Sequence, residues 1–375
     1  VNGANTQTMG YDGINRLVEA TGPWGDMQLS YDTNSNVTQK QIGKVSTSYH
    51  YNSNNQLTSL TGAAAQTLAY SNGDATQIGN LHLAYNTLQQ VESMSGTGLT
   101  GNAVNDSFAY DGNGNRVLAN QNGKTHIEAY NQKDQLLFKD NTSDNTQDDY
   151  ILLGTHPVVH IKTQAGQTQV NYLHDNLLGS ALVSTDEKAK AQWTERYKPY
   201  GDEMDANTGR ENPHVGYTGK PHDSDTDLSY YGARYYDPAI GRFISPDPMM
   251  VNPANPITFN RYAYASDNPY KYVDPNGKGV VTALIGGAIG GYFGGKEHGF
   301  WGGVIGFGVG FVTGTVDPWA SGMAAEAATG WLGAGAGAVA EYATSAAVNV
   351  AGNMGYSEIM DGNTGGAASI LSGAV

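Results

Sequence analysis

Along residues 1–150 the chain runs in short polar-aromatic stretches, each followed by a turn phrase that starts at a tyrosine. Tyr11, Tyr31, Tyr51, Tyr70, Tyr85, Tyr110 and Tyr130 fall at steps of 20, 20, 19, 15, 25 and 20 residues. Behind them stand Asp12-Gly13, Asp32-Thr33, Asn52-Ser53, Ser71-Asn72-Gly73, Asn86-Thr87, Asp111-Gly112 and Asn131. Asp-Gly and Asn-Gly favour positive φ and tight hairpins. A strand resumes after the turn, as at Arg16-Leu17-Val18 and, beyond Asn113-Gly114-Asn115, at Arg116-Val117-Leu118. Strong helix signals are missing from this stretch. The pattern predicts a mainly β fold, a spiralling array of antiparallel hairpins. A unit of this length is too short to bury a core alone, so neighbouring units must stack. The tyrosines are expected to stack successive strands of that wall rather than to hold a ligand. Val1 begins inside a repeat-like stretch, which predicts further repeats upstream.

From 150 to 275 the β character persists without the clean period. Tyr150-Ile151-Leu152-Leu153, Pro157-Val158-Val159-His160-Ile161, Val170-Asn171-Tyr172-Leu173 and Ser180-Ala181-Leu182-Val183 read as strands, and Asp186 to Lys190 as a solvated turn. Near Gly277 the composition changes. Two apolar runs, Val280 to Gly295 and Phe300 to Val316, flank Lys296-Glu297-His298. Each falls just under the roughly 20 residues wanted for a membrane span. Gly287, Gly291, Gly295 and Gly302, Gly306, Gly310, Gly314 recur at spacing four, a pattern that lets helices approach closely. This reads either as a membrane-active helical hairpin or as a segment packed inside a protein cavity. Residues 317–351 are Ala-rich helix formers, with Asp317-Pro318 as a helix start.

Composition narrows the chemistry. The 375 residues hold no Cys, so neither disulfides nor thiolate chemistry is available. A net charge of -15 argues against a nucleic-acid surface, which needs clustered Lys and Arg. His156, His160, His174, His214 and His222 lack metal-ligand spacing, and the twelve-residue Ca²⁺ loop pattern is missing, so no metal and no cofactor is assigned. After Gly279 the sequence has one histidine, His298, and no His-x-Glu or Cys pattern of a deaminase.

Several phrases, in order, resemble the bacterial Rhs family. The Tyr-Asp phrases look like its YD repeats. Tyr172-Leu173-His174-Asp175-Asn176-Leu177-Leu178-Gly179-Ser180 and Tyr197-Lys198-Pro199-Tyr200-Gly201 resemble phrases that lead into its core. Leu228-Ser229-Tyr230-Tyr231-Gly232-Ala233-Arg234-Tyr235-Tyr236-Asp237-Pro238 is similar to the Rhs-associated core itself. Gly241-Arg242-Phe243-Ile244-Ser245-Pro246-Asp247-Pro248, Asn260-Arg261-Tyr262-Ala263-Tyr264 and Asp274-Pro275-Asn276-Gly277 continue it. The resemblance covers residues 1–277 and implies a β-shell (1–150), a core plug (151–278) and a variable toxin or membrane-active segment (279–375) carried as cargo. It also implies secretion or surface display, type VI delivery to a target cell in interbacterial competition, secretion machinery as a partner, an immunity protein and a target membrane.

In the family the core is often an aspartic autoprotease, and the resemblance carries that role onto Asp247 and Asp274. Two adjacent carboxylates resist ionising together, so one keeps a proton while the other activates water. Arg242 matches a family arginine that would polarise the pair. The scissile bond would be Lys278-Gly279, where Lys278 stands in place of the family's Leu. An apolar residue there would fill a pocket and a lysine does not. An uncut plug therefore stays open as an alternative, as do a cell-surface carbohydrate- or protein-binding module and an inactive remnant.

Overall fold

The computed structural model describes residues 7–132, 134–153, 156–204, 214–251 and 256–279. The Gly- and Ala-rich stretch from Val280 onward, with its expected helices, lies outside them. Among the described residues the fold is almost entirely antiparallel β. Nineteen strands form one sheet, from β1 (Thr8–Tyr11), β2 (Leu17–Gly22), β3 (Gly25–Tyr31), β4 (Val37–Ile42), β5 (Val45–Tyr51) and β6 (Leu57–Gly62) onward. Each strand pairs with the next in sequence. The same meander continues through β7 (Gln66–Ser71), β8 (Asp74–Ile78), β9 (Leu81–Tyr85), β10 (Val91–Thr97), β11 (Ala103–Tyr110), β12 (Arg116–Gln121), β13 (Lys124–Tyr130) and β14 (Leu136–Asn141). It then runs through β15 (Thr146–Leu153), β16 (His156–Gln164), β17 (Gln167–Asp175) and β18 (Ala181–Thr185) to β19 (Ala191–Thr194). The expected boundary at residue 150 falls inside β15, where pairing does not break.

The turn behind each tyrosine follows from one local device. In the second unit the Asp32 Oδ1 accepts the N–H groups of Asn34 at 2.8 Å and Asn36 at 2.9 Å. The Asp32 N–H meanwhile donates to the Asn36 carbonyl at 2.9 Å, and Ser35 takes φ 59°. The same side-chain caps recur at Asp12, Asn52, Asn86, Asp111 and Asn176. Asp and Asn suit this position because their short side chains reach their own backbone two residues on. The register slips by one residue at the tyrosine, so that Ser30 faces Gln39 while Tyr31 faces Val37. Such a bulge sharpens local twist.

The tyrosines tie units together by hydrogen bonds as well as by packing. Tyr31 Oη donates to the Leu17 carbonyl at 2.7 Å and Tyr51 Oη to the Val37 carbonyl at 2.9 Å. Tyr85 reaches Ala75 at 3.0 Å and Tyr110 reaches Val91 at 2.7 Å. Each hydroxyl thus satisfies a carbonyl in the unit before it.

The buried row of the sheet changes character along the chain. In the first half it is apolar, with Leu17, Met27, Leu29, Val37, Tyr49, Leu57 and Leu60. From β11 on it takes in Asp106, Arg116, His126, Glu128, Lys139 and Asp148 beside Val104, Phe108 and Ala119. The pairing explains how these charges coexist: Glu128 lies opposite Lys139, and Lys139 opposite Asp148. Opposite charges directly across a ladder attract. Arg116 completes the row with a bidentate pair to Glu128, at 3.0 Å from Nε and 2.7 Å from Nη2.

A second, five-stranded sheet packs beside the wall, made of β20 (His214–Val215), β21 (Pro221–Asp223), β22 (Leu228–Tyr230), β23 (Tyr235–Asp237) and β24 (Arg242–Phe243). Its core is aromatic. Tyr231, Tyr236 and Tyr264 are fully buried, with ring centroids 4.5 Å apart for Tyr236–Tyr264 and 5.7 Å for Tyr231–Tyr264. Two of the three hydroxyls are partnered: Tyr236 Oη donates to the Tyr200 carbonyl at 2.7 Å and Tyr231 Oη meets Thr218 Oγ1 at 2.7 Å.

The Arg116–Glu128 pair gives a direct test. Both side chains are buried, so Arg116→Met leaves the Glu128 carboxylate with Lys139 as its neighbouring cation but without its bidentate partner, and is expected to destabilise the fold by about 3 kcal/mol. Glu128→Leu added to Arg116→Met should restore most of that loss. Urea unfolding of the two variants checks it; a double variant no more stable than the single one would refute the pairing argument.

Candidate aspartic site

Three chain segments bring charged groups together beside the small sheet. The tight turn between β22 and β23 delivers Arg234, which is 3% exposed. Four residues beyond β24 comes Asp247, whose N–H donates to the Arg261 carbonyl at 2.8 Å and whose Oδ1 accepts Met249 N–H at 2.8 Å. Asp274, 1% exposed, opens the last described turn.

Arg234 joins the two carboxylates through a single nitrogen. Its Nη2 lies 2.9 Å from Asp247 Oδ2 and 2.8 Å from Asp274 Oδ2. Its Nη1 donates to the Arg261 carbonyl at 3.0 Å, and the guanidinium sits 3.6 Å over the Phe243 ring. One cation balances one carboxylate. Burial raises Asp274 above the ordinary carboxyl range, and Asp247 adds to that rise against the pull of Arg234. The site therefore favours one ionised and one protonated acid.

Asp274 also grips the chain that follows it. Oδ1 accepts Gly277 N–H at 2.8 Å and Lys278 N–H at 3.2 Å, and Oδ2 accepts Gly279 N–H at 3.3 Å. Gly277 has φ 70°, and a Cβ there would lie 3.0 Å from Arg234 N and 3.1 Å from the Tyr231 carbonyl oxygen. Only glycine lets the turn nest this closely against the Arg234 segment. Two further contacts hold the turn: Ala233 N–H donates to the Asn276 carbonyl at 3.1 Å, and Lys220 Nζ to the Pro275 carbonyl. The Lys278 side chain is exposed and fills no pocket.

Asp247, Asp274 and Gly279, three residues singled out from sequence, thus meet at one place. Arg242 does not join them, and the guanidinium at the site is Arg234. Arg242 is buried against the wall, where Nη2 donates to the Asn55 carbonyl at 3.1 Å and to Asn260 Oδ1 at 3.1 Å, with its guanidinium 4.8 Å from the Tyr51 ring centre. Arg242 is nearer to Asp247 in sequence, which favoured it. The signal for Arg234 was its place among Tyr230, Tyr231, Tyr235 and Tyr236: a cation in so apolar a run needs buried carboxylates. Among the described residues no group of three or more His, Asp or Glu side chains could hold a metal ion.

Comparison with known proteins agrees with this architecture. A family model described as Teneurin YD-shell matches residues 1–83 and 157–270. The tRNA nuclease WapA of Bacillus subtilis (strain 168) is 26% identical over 278 residues, covering 71% of this chain and 12% of WapA. Toxin subunit YenC1 of Yersinia entomophaga is 36% identical over 120 residues, covering 31% of this chain and 12% of YenC1. The crystal structure of TcdB2-TccC3-Cdc42 matches with a TM-score of 0.50 at 19% identity, over 72% of this chain and 17% of that one. The last likeness speaks for the fold alone. The chain spans only 12% of the length of each of the two relatives.

Arg234→Met should destabilise the protein by about 3 kcal/mol or more by leaving two acids without their cation. The loss should be larger at pH 8 than at pH 5, because Asp274, raised by burial, takes up a proton more readily at the lower pH. Urea unfolding of wild type and variant at both pH values checks this, and an equal loss at the two would contradict the assigned role.

Proposed function

The chain belongs to the Teneurin YD-shell family, and on that premise we propose that residues 1–279 are the wall and plug of a toxin carrier. Its cargo is the chain's own segment from residue 280 onward, and its plug cuts itself at Lys278-Gly279. One observation carries the reading: Asp274 Oδ2 lies 3.3 Å from the Gly279 nitrogen, the leaving group of that bond, and 2.8 Å from the Arg234 Nη2 that also holds Asp247.

The chemistry follows from the charge balance of the site. One acid of the pair takes a proton from water, and the hydroxide adds to the Lys278 carbonyl carbon. The other acid gives its proton to the Gly279 nitrogen as the C–N bond breaks. The products are a carboxyl at Lys278 and an amine at Gly279. Arg234 stabilises the ionised acid throughout and fixes both acids in place.

The toxin part of the reading draws on relatives that are themselves named as toxins. In it the carrier is secreted, by secretion machinery such as a type VI apparatus, and delivered to a target cell, while an immunity protein protects the producer. The Gly-spaced runs of 280–316 engage the target membrane. Among the described residues no helix is long and apolar enough to cross a membrane.

A second reading, an uncut plug that still caps the wall, is favoured by the exposed Lys278 side chain, which anchors nothing before the bond. Intact-mass measurement of the purified full chain decides between them. Self-cleavage predicts a break at Lys278-Gly279 that Asp274→Asn slows by at least about 100-fold, within the usual range for general acid–base catalysis. Lys278→Leu should leave cleavage equal or faster. A single uncut wild-type species would sink the protease and leave the uncut plug.

A further inference from the structure

The seam between the wall and the small sheet buries two carboxylates that make no ion pair. Asp237 ends β23 and is 1% exposed. Its Oδ1 accepts Ala239 N–H at 2.9 Å and Ile240 N–H at 3.2 Å, but its Oδ2 is buried with no hydrogen-bond partner. Asp267 closes the turn Ala265–Asp267 and is 3% exposed, and its Oδ2 is likewise buried without a partner. The same signature recurs within the wall at Asp74, Asp106 and Asp175.

The cations around each acid direct their hydrogen bonds elsewhere. Asp237 faces Lys40 of β4, whose Nζ donates to the Ala239 carbonyl instead. Asp227, Asp202, Tyr49 and Tyr236 complete its surroundings, and none supplies positive charge. Asp267 faces Arg16 and Arg242. Arg16 is held by Asp12 at 2.8 Å and by Ser35 Oγ at 3.1 Å, and Arg242 by Asn55 and Asn260. Asp12, Asp32, Tyr31, Tyr51 and Tyr200 make up the rest. An ionised oxygen buried without a donor is far more costly than a buried hydroxyl.

We propose that this seam is a proton-held latch, closed while Asp237 and Asp267 are neutral acids and loosened as they ionise. Burial holds both carboxyls at about 7. An acid whose value is raised on folding binds more protons in the folded chain than in the open one. Closure is therefore strongest below the ordinary carboxyl range, weakens as pH rises towards about 7, and changes no further above it. Within that window each acid makes opening about tenfold easier per pH unit. The wall would thus hold its plug firmly in acid and yield at neutral pH. The latch rests on the seam itself and is independent of whether Lys278-Gly279 is cut.

Amide hydrogen exchange of the full chain from pH 5 to 8, corrected for the intrinsic chemical rate, tests it. Opening of β23, β24 and the Ala265–Asp267 turn should rise at least tenfold and then level off. In Asp237→Asn/Asp267→Asn it should stay low and flat. A flat wild type, or a double variant that keeps the wild-type slope, overturns the latch. Should the double variant not fold, ¹³C-carboxyl titration of the wild type still decides. Two aspartates assigned to the seam must titrate near 7, and their titration in the ordinary range refutes the proposal.

Discussion

Everything else in this structure hangs on the carbonyl that each Tyr-Asx turn turns outward. The residue three places after the capping Asp or Asn adopts a left-handed conformation, as Asn15 (φ 66°), Ser35 (φ 59°), Asn55 (φ 60°) and Gly114 (φ 90°) do. That conformation closes the hairpin, but it also leaves the residue's own carbonyl outside the sheet ladder. A backbone acceptor left buried and unpaired is costly, so it needs a partner from elsewhere. The core supplies one at four of these turns. Asn268 Nδ2 donates to Asn15 at 2.8 Å, Asn260 Nδ2 to Ser35 at 2.8 Å, Arg242 Nη2 to Asn55 at 3.1 Å and Tyr230 Oη to Gly114 at 3.4 Å. Tyr262 Oη serves the turn between β7 and β8 in the same way, at Gly73. The repeat is thus a row of acceptors, and the core is the matching row of donors.

This explains why the core's short phrases are rich in Asn, Arg and Tyr, and why its sheet has strands of only two or three residues. Its shape is fixed by many side-chain bonds to the wall and by tightly packed rings, and less by its own ladder. The charged row of the wall follows a related logic. Glu128, Lys139 and Asp148 sit on a buried face because register sets them against one another, and Arg116 ties that row to Tyr235 of the core at 3.0 Å.

The meander was legible in the sequence because its signals are local. A capping Asx, a residue that accepts positive φ and a tyrosine at a near-constant step each act within a few residues. The strands read at 150–153, 157–161 and 170–173 are present for the same reason. What could not be read was long-range. Residue 150 looked like a boundary because the tyrosine step fades there, yet strand pairing depends on backbone ladders that need no tyrosine. Arg242 looked like the partner of Asp247 because it is close in sequence. Its partners are set by a turn nearly two hundred residues earlier, at Asn55. Arg234 could be found only by asking where a cation surrounded by tyrosines would find negative charge.

These long-range contacts make the aspartic site a product of the wall. Asn260 is held by the second turn, through the Ser35 carbonyl and through Asn36 Oδ1 at 3.1 Å. The next residue, Arg261, accepts the Asp247 N–H at its carbonyl, receives Arg234 Nη1 at that same carbonyl, and donates from Nε to the Asp247 carbonyl at 3.0 Å. One side of the site is therefore positioned by a residue whose neighbour is docked on a hairpin turn. The geometry that sets Asp247 against Arg234 and Asp274 thus depends on the wall as well as on their own ion pairs. The constraint that seats the core also positions its acids.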